Sequence, residues 1–295
     1  MLVSRPFVVP EHLARSAAAD REMSAWLPGL DDRVRDVAAR WDLEVGTPYE
    51  PGGNTAWVAP ARTRGGDDVV LKVGRRHPEA EHEAEALRLW DGRGAVRLLR
   101  HESSDDTLSF LLERCEPGTA LTSRPEPEQD EVIAAVLRRT WSTPIDPTPF
   151  RPLRELCRIW SDATVERAAA RPGVVRDPLL GAALEVLRER PSDDVGPGDV
   201  LLCTDLHAGN VLEASREPWL LIDPKPYAGE RAYDVVQHLL NCPDRLMADP
   251  LGLTARMASL CELDVVAVRM WTFARCLTEL WWGPHLMPVV EALAP

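Results

Sequence analysis

Residues 201–225 read LLCTDLHAGNVLEASREPWLLIDPK, and this stretch decides the fold. It sets three oxygen-bearing side chains at fixed offsets: Asp205, then Asn210 five residues on, then Asp223 thirteen further. The apolar runs VLLC (200–203) and WLLI (219–222) lead into the two acidic elements. The spacing is a phosphoryl-transfer layout. In the kinase template one Asp accepts the proton of the attacking hydroxyl, an Asn five residues later holds one magnesium ion, and a later Asp holds another. Magnesium is a hard cation that wants oxygen donors, so neither ligand position can be apolar.

A kinase also needs a grip on the nucleotide, and the first third of the chain offers one. Of 34 basic residues only Lys72 and Lys225 are lysines, which makes each a candidate for work that a compact ammonium does better than a guanidinium. Residues 49–61 and 67–74 read as a hairpin of short strands around two Gly-rich turns, Gly52-Gly53 and Gly65-Gly66. Gly52, Gly53 and Asn54 form either a phosphate loop or an ordinary turn. Lys72 lies in the second strand, and the segment 79–90 after it reads as a helix carrying Glu81, Glu83 and Glu85. The alanines and leucines around them leave Glu83 as the first choice of lysine partner and Glu85 as the second. Strands are predicted over 95–103 and 107–118. The latter ends in ERCEPG, where the backbone of Glu113 to Cys115 is either an adenine-binding connector or a plain turn.

Two amphipathic helices are predicted over 11–27 and 29–42, with Trp26 and Trp41 as packing anchors. Further helices are expected over 128–142, 151–171, 178–190, 251–263 and 264–282. Asp234, in the segment 227–241, reads as a brace or cap for the loop. The expected fold class is α+β, a small antiparallel sheet lobe (1–114), a hinge (115–118) and a larger, mainly helical lobe (119–295).

The net charge of −13 and pI near 5.1 argue against a nucleic-acid backbone as partner and weakly favour a cationic one. No apolar run is long enough to span a membrane, and the first sixteen residues lack the pattern of a secretory leader, so a cytoplasmic protein is expected. The six cysteines show no C-x-x-C and no evident histidine pairing, which argues against a disulfide framework or a zinc site. A protein kinase proper is disfavoured by the absence of H-R-D, D-F-G and A-P-E, and a hydrolase by the absence of G-x-S-x-G and H-E-x-x-H.

The motifs DLHAGNVL (205–212), IDPKP (222–226) and Gly229-x-x-x-x-Asp234 resemble the aminoglycoside phosphotransferase family, in its streptomycin 6-kinase and hydroxyurea phosphotransferase branch. ARWDL (39–43), LLER (111–114), REPWLLIDPKP (216–226) and WTFARCL (271–277) extend the likeness over nearly the whole chain. The resemblance implies a protein-kinase-like fold and an ATP- and magnesium-dependent transfer to a small-molecule hydroxyl, with GTP left open as donor. It implies Asp205 as catalytic base, Asn210 and Asp223 as magnesium ligands, and Lys72 on the nucleotide phosphates with Glu83 holding it. Adenine would meet the backbone at 113–115, and His207 would brace the loop. Glu279 and Trp282 are candidate acceptor contacts.

The acceptor is expected to be cationic, streptomycin first, with hydroxyurea or another metabolite as alternatives, and the protein a monomer or dimer. A silent binding module is disfavoured because base, metal ligands and strand lysine are all present. One departure stands out: the family commonly has His-Gly before the catalytic Asp, where this chain has Cys203-Thr204. Lys225 is expected either to touch a phosphate or, as the preferred reading, to form a surface ion pair.

Overall fold

The strand Asp68–Arg75, buried without a break from Leu71 to Gly74, organises the first part of the molecule. In the computed structural model, which describes residues 7–145, 149–193 and 195–295, Val69, Leu71 and Val73 are buried on one face of this strand, which turns Lys72 to the other. Residues 1–6, which open the segment read for a leader, lie outside the described residues, as does Asp194. The chain divides into two units: Met1–Gly92 with Val96–Cys115, and Arg93–Ala95 with Glu116–Pro295.

The first unit holds a five-stranded antiparallel sheet of β1 (Leu43–Val45), β2 (Ala56–Thr63), β3 (Asp68–Arg75), β4 (Leu98–Ser103) and β5 (Thr107–Glu113), in the order β1-β2-β3-β5-β4. Gly66, at φ +94°, takes the left-handed turn between β2 and β3 that a side chain would resist. Its helices are α1 (Glu11–Ala19), α2 (Arg21–Trp26), α3 (Leu30–Arg40) and α4 (Glu83–Trp90). The single helix expected over 11–27 is broken at Asp20. That residue is extended, and its carboxylate accepts the Met23 N–H at 2.8 Å to cap α2, a position aspartate prefers to a helix interior. Leu13, Trp26, Leu30, Val34 and Trp41 pack against Leu71 and Val73, so both tryptophans are core residues. Their indole N–H groups donate to Thr107 Oγ1 and Glu102 Oε1.

Three other boundaries differ from expectation. Strand β2 begins only at Ala56, so Gly52 and Gly53 lie in the connection from β1, a short strand that periodicity did not single out. Helix α4 begins at Glu83, leaving Glu81 outside it. Strand β5 ends at Glu113 rather than running to 118.

The second unit contains α5 (Glu126–Trp141), α6 (Leu153–Ala170), α7 (Asp177–Glu189), α8 (Arg231–Asp234), α9 (Val236–Leu240), α10 (Pro243–Ala248), α11 (Pro250–Cys261), α12 (Val265–Glu279) and α13 (Met287–Leu293). Helix α12 packs against α7, α11 and α13, and Trp271, Phe273, Cys276 and Leu277 on it are fully buried. It stops at Glu279 rather than 282, just before Gly283-Pro284, where proline removes a donor and cannot continue the turn. No described helix is long and apolar enough to cross a membrane.

Two short antiparallel ribbons complete this unit: β6 (Val200–Leu202) with β9 (Tyr227–Gly229), and β7 (Val211–Glu213) with β8 (Trp219–Leu221). Pairing Leu202 with Tyr227 and Val211 with Leu221 leaves two loops, 203–210 and 222–226, side by side between the ribbons. The topology alone therefore unites residues about twenty apart in sequence.

Candidate active site

Backbone hydrogen bonds fasten the two loops at both ends. Ile222 N–H donates to the Asn210 carbonyl at 2.9 Å, and Lys225 N–H donates to the Cys203 carbonyl at 3.0 Å. Thr204 Oγ1 donates to the Lys225 carbonyl in a third, short link. Asp205, His207, Asn210 and Asp223 are thus held on one joint. The Asn210 side chain donates through Nδ2 to the Asp205 carbonyl at 3.0 Å, which leaves its Oδ1 as the oxygen donor of the amide. His207 Nδ1 accepts the Gly209 N–H at 3.1 Å, so a neutral His207 carries its proton on Nε2. Burial pushes the His207 imidazole below its usual range, and the nearby Lys225 charge adds to this against the pull of Asp205. A side chain at Gly209 would bring its Cβ within 2.8 Å of the His207 ring.

Asp234 holds this joint from beneath. Its carboxylate accepts N–H groups from Cys203 at 3.0 Å, Thr204 at 2.7 Å and the Trp141 indole at 2.9 Å. Burial raises its pKa from 3.8 to about 6, and these donors offset only part of that cost. The bonds explain how Cys203-Thr204 fits where the family commonly has His-Gly. Thr204 sits at φ +47°, a left-handed conformation that strains a β-branched residue, and three hydrogen bonds through its N–H, its hydroxyl and the preceding N–H keep it there. Asp223, at φ +53°, is left-handed too. Cys203 is completely buried, and burial pushes its thiol well above the usual range.

Lys225 departs from the preferred reading. It is no surface pair: its Nζ lies 2.7 Å from Asp205 Oδ2, with the two side chains 31% and 18% exposed. The scarcity of lysine marked the residue, but no spacing rule pointed to Asp205 as its partner.

In the first unit Lys72 donates to both Glu83 carboxylate oxygens, at 2.7 and 2.8 Å, and its ammonium lies 5.2 Å from the centre of the Phe110 ring. Glu85, the second choice, pairs instead with Arg88 on the same helix. Gly52 and Gly53 sit where a Cβ would come within 3.0 Å of the Tyr49 carbonyl and 3.1 Å of the Ala56 carbonyl, so the turn needs small residues there. The Asn54 side chain bonds His12 on α1. At the end of β5 one backbone group of the expected connector is already engaged. The Glu113 N–H donates to the Arg97 carbonyl at 2.9 Å and its carboxylate accepts the Arg97 N–H, so of the 113–115 backbone this one amide is engaged. Cys115 is buried.

The candidate acceptor contacts already have cationic partners. Glu279 pairs with Arg275 at 3.0 Å, and the Arg167 guanidinium stacks 3.9 Å from the ring of the exposed Trp282. Neither residue makes a hydrogen bond or ion pair with the Asp205 loop.

One cysteine does lie against a histidine, contrary to the sequence reading. Cys242 Sγ is 3.9 Å from His238 Nε2, which contacts Asp130 at 2.9 Å, and these three are the one such grouping among the described residues. Its chemistry does not suit a metal. Both Asp130 oxygens are taken by Arg245 and Arg256, and burial pushes the Cys242 thiol up to about 11, so it stays protonated. Burial penalises the Asp130 carboxylate, yet hydrogen bonds from His238, Arg245 and Arg256 outweigh that and hold it well below the usual range.

The loop donors do suit one: an amide oxygen and a carboxylate are the hard ligands that magnesium takes. Comparison with known proteins places the chain as a whole. The family model for aminoglycoside/hydroxyurea antibiotic resistance kinases matches residues 40–284. A hydroxyurea phosphotransferase of Kitasatospora aureofaciens is 35% identical, over 96% of this chain and 82% of its own length. A streptomycin 6-kinase of Streptomyces glaucescens is 32% identical, over 96% of this chain and 92% of its own. Among solved structures, the aminoglycoside phosphotransferase APH(3'')-Id of Streptomyces rimosus, in complex with ADP and streptomycin, shares the fold at a TM-score of 0.54, with 16% identity over 89% of this chain and 98% of that one.

Proposed function

We propose, for a chain that belongs to the aminoglycoside/hydroxyurea antibiotic resistance kinase family and is a small-molecule phosphotransferase, that it moves the γ-phosphoryl group of ATP to a hydroxyl of an aminoglycoside, streptomycin being the leading acceptor. The observation that carries this reading is the joint between loops 203–210 and 222–226, where backbone hydrogen bonds hold the segments bearing Asp205, Asn210 and Asp223 side by side. Asp205 orients the acceptor hydroxyl and takes its proton. Lys72, steadied by Glu83, binds the nucleotide phosphates. A magnesium ion held by Asn210 and Asp223 supplies neutralising charge for the β- and γ-oxygens when bound. His207 keeps Gly209 and Asn210 in register, and Asp234 keeps Thr204 turned so that Asp205 faces the acceptor. No covalent intermediate is needed, because positioning and electrostatics account for phosphoryl transfer.

One observation supports hydroxyurea, or another small acceptor of low charge, as the second reading. An arginine already pairs with Glu279 and another stacks on the exposed Trp282, so these positions give a polycation little to pair with. ADP release across streptomycin, other aminoglycosides, hydroxyurea and simple amino sugars tests both readings, with Asp205→Ala as the blank. Stimulation by streptomycin is the expected result. No stimulation by any acceptor, together with no nucleotide binding, would instead identify a silent module.

A further inference from the structure

Lys225 is one of two lysines among 34 basic residues, and its backbone is tied at N–H and C=O to the two residues that precede Asp205. Its ammonium meets Asp205 at Oδ2, while Oδ1 has no hydrogen-bond partner among the described residues. The pair is only partly buried, with side chains 31% and 18% exposed, so solvent screening leaves it a modest contribution to stability. A guanidinium in this place would grip both oxygens of the carboxylate in its planar fork, whereas the Lys225 ammonium holds Oδ2 and leaves Oδ1 for a hydroxyl.

Building on the phosphotransferase reading, we propose that Lys225 is a catalytic cation that pairs with Asp205 before the reaction and with the oxygens of the transferring phosphoryl group during it. The electron count makes the exchange of partners necessary. The acceptor O–H proton passes to Asp205 Oδ1 as the acceptor oxygen bonds the γ-phosphorus, and the bond from that phosphorus to the bridging oxygen breaks, its electron pair leaving on ADP. Asp205 thereby becomes neutral and its hold on Lys225 weakens. Negative charge then resides on the phosphoryl oxygens attached to the acceptor, next to the same ammonium. The cation is already positioned, so no reorganisation is required at the moment of transfer.

The experiment compares binding of ADP–magnesium with and without fluoroaluminate, an anionic mimic of the phosphoryl group in flight, using the full chain as wild type, Lys225→Met and Lys225→Arg. Titration calorimetry reads the affinities and circular dichroism the fold, and no acceptor need be known. In Lys225→Met the affinity for ADP–magnesium should stay within about twofold of wild type, while the tightening by fluoroaluminate falls by on the order of tenfold or more. Lys225→Arg, which keeps the charge, should recover part of the tightening. If Lys225→Met tightens as the wild type does, or loses its fold, the proposal is overturned while the phosphotransferase reading stands. If wild-type protein binds no ADP–magnesium, that reading falls first and takes the proposal with it.

Discussion

The two lysine–carboxylate pairs have the same chemistry and the same 2.7 Å closest approach, yet they are built for different work. Lys72 reaches Glu83 from the middle of a sheet and is bound by both oxygens, with the Glu83 side chain only 1% exposed. Lys225 reaches Asp205 from one loop to another, meets that carboxylate at one of its oxygens and stays partly in solvent. The first pair is a fixed post, because removing either partner would strand a charge in the interior. The second is a contact that can change partners at low cost.

Removing the base should have the largest effect. Asp205→Ala is expected to lower phosphoryl transfer by on the order of 10²–10⁴, read as acceptor-stimulated ADP release with the fold checked by circular dichroism. A wild-type rate would show that the loop pair serves no chemistry.

Stability separates the two pairs next. Glu83→Gln leaves Lys72 without its buried counter-charge and should cost about 3 kcal/mol. Lys225→Met breaks the partly buried, solvent-screened pair and should cost less, on the order of 1 kcal/mol. Urea unfolding of both variants decides the matter, and equal losses would erase the distinction between post and contact.

A parallel contrast holds between two buried carboxylates of the second unit, with opposite pH signs. Asp234 is raised from 3.8 to about 6, so between those values the folded state binds more protons than the unfolded one. Stability should therefore decline by about 2 kcal/mol as pH rises from 4 to 6 on account of this group, and Asp234→Asn should flatten that decline. Asp130 is held below the usual carboxylate range by Arg245, Arg256 and His238, so its contribution is present above about pH 4 and is lost as pH falls below it. Asp130→Asn should remove that acid-side loss. Urea melts from pH 3 to 7 compare the slopes, and matching slopes in the two variants would contradict the signs assigned.

The smallest effect is expected at Thr204. Replacing it by glycine relieves the left-handed strain but removes the hydroxyl bond to Lys225, so stability should stay within about 1 kcal/mol of wild type. A larger loss would mean that this bond, more than Asp234, holds the loop.

Much of this was legible in the chain itself. The spacing of Asp205, Asn210 and Asp223, a lysine amid β-branched residues and a glutamate-rich segment after it are short-range patterns, and short-range patterns survive in one dimension. The longer helices of the second unit and four of the five strands of the sheet were legible for the same reason, since apolar periods of 3.6 and 2 report which face is buried, whereas β1 and the short helices α8, α9, α10 and α13 were not. Boundaries set by one residue were less so. Asp20 breaks a helix because its carboxylate caps the next one, and Glu113 loses its amide to Arg97, sixteen residues away, through strand pairing.

What the sequence determined by itself, then, is the inventory: which groups can bind magnesium, take a proton or hold a phosphate, and the kinase-like order in which they come. Only the tertiary structure decided who faces whom. Lys225 meets Asp205 because β9 returns to pair with β6, and Asp234 reaches Cys203, Thr204 and Trp141 across separations of 30 to 93 residues. The reason is physical: a buried carboxylate or ammonium must find partners, but any donor or acceptor of the right kind satisfies it, and the packing of the chain selects which one is there.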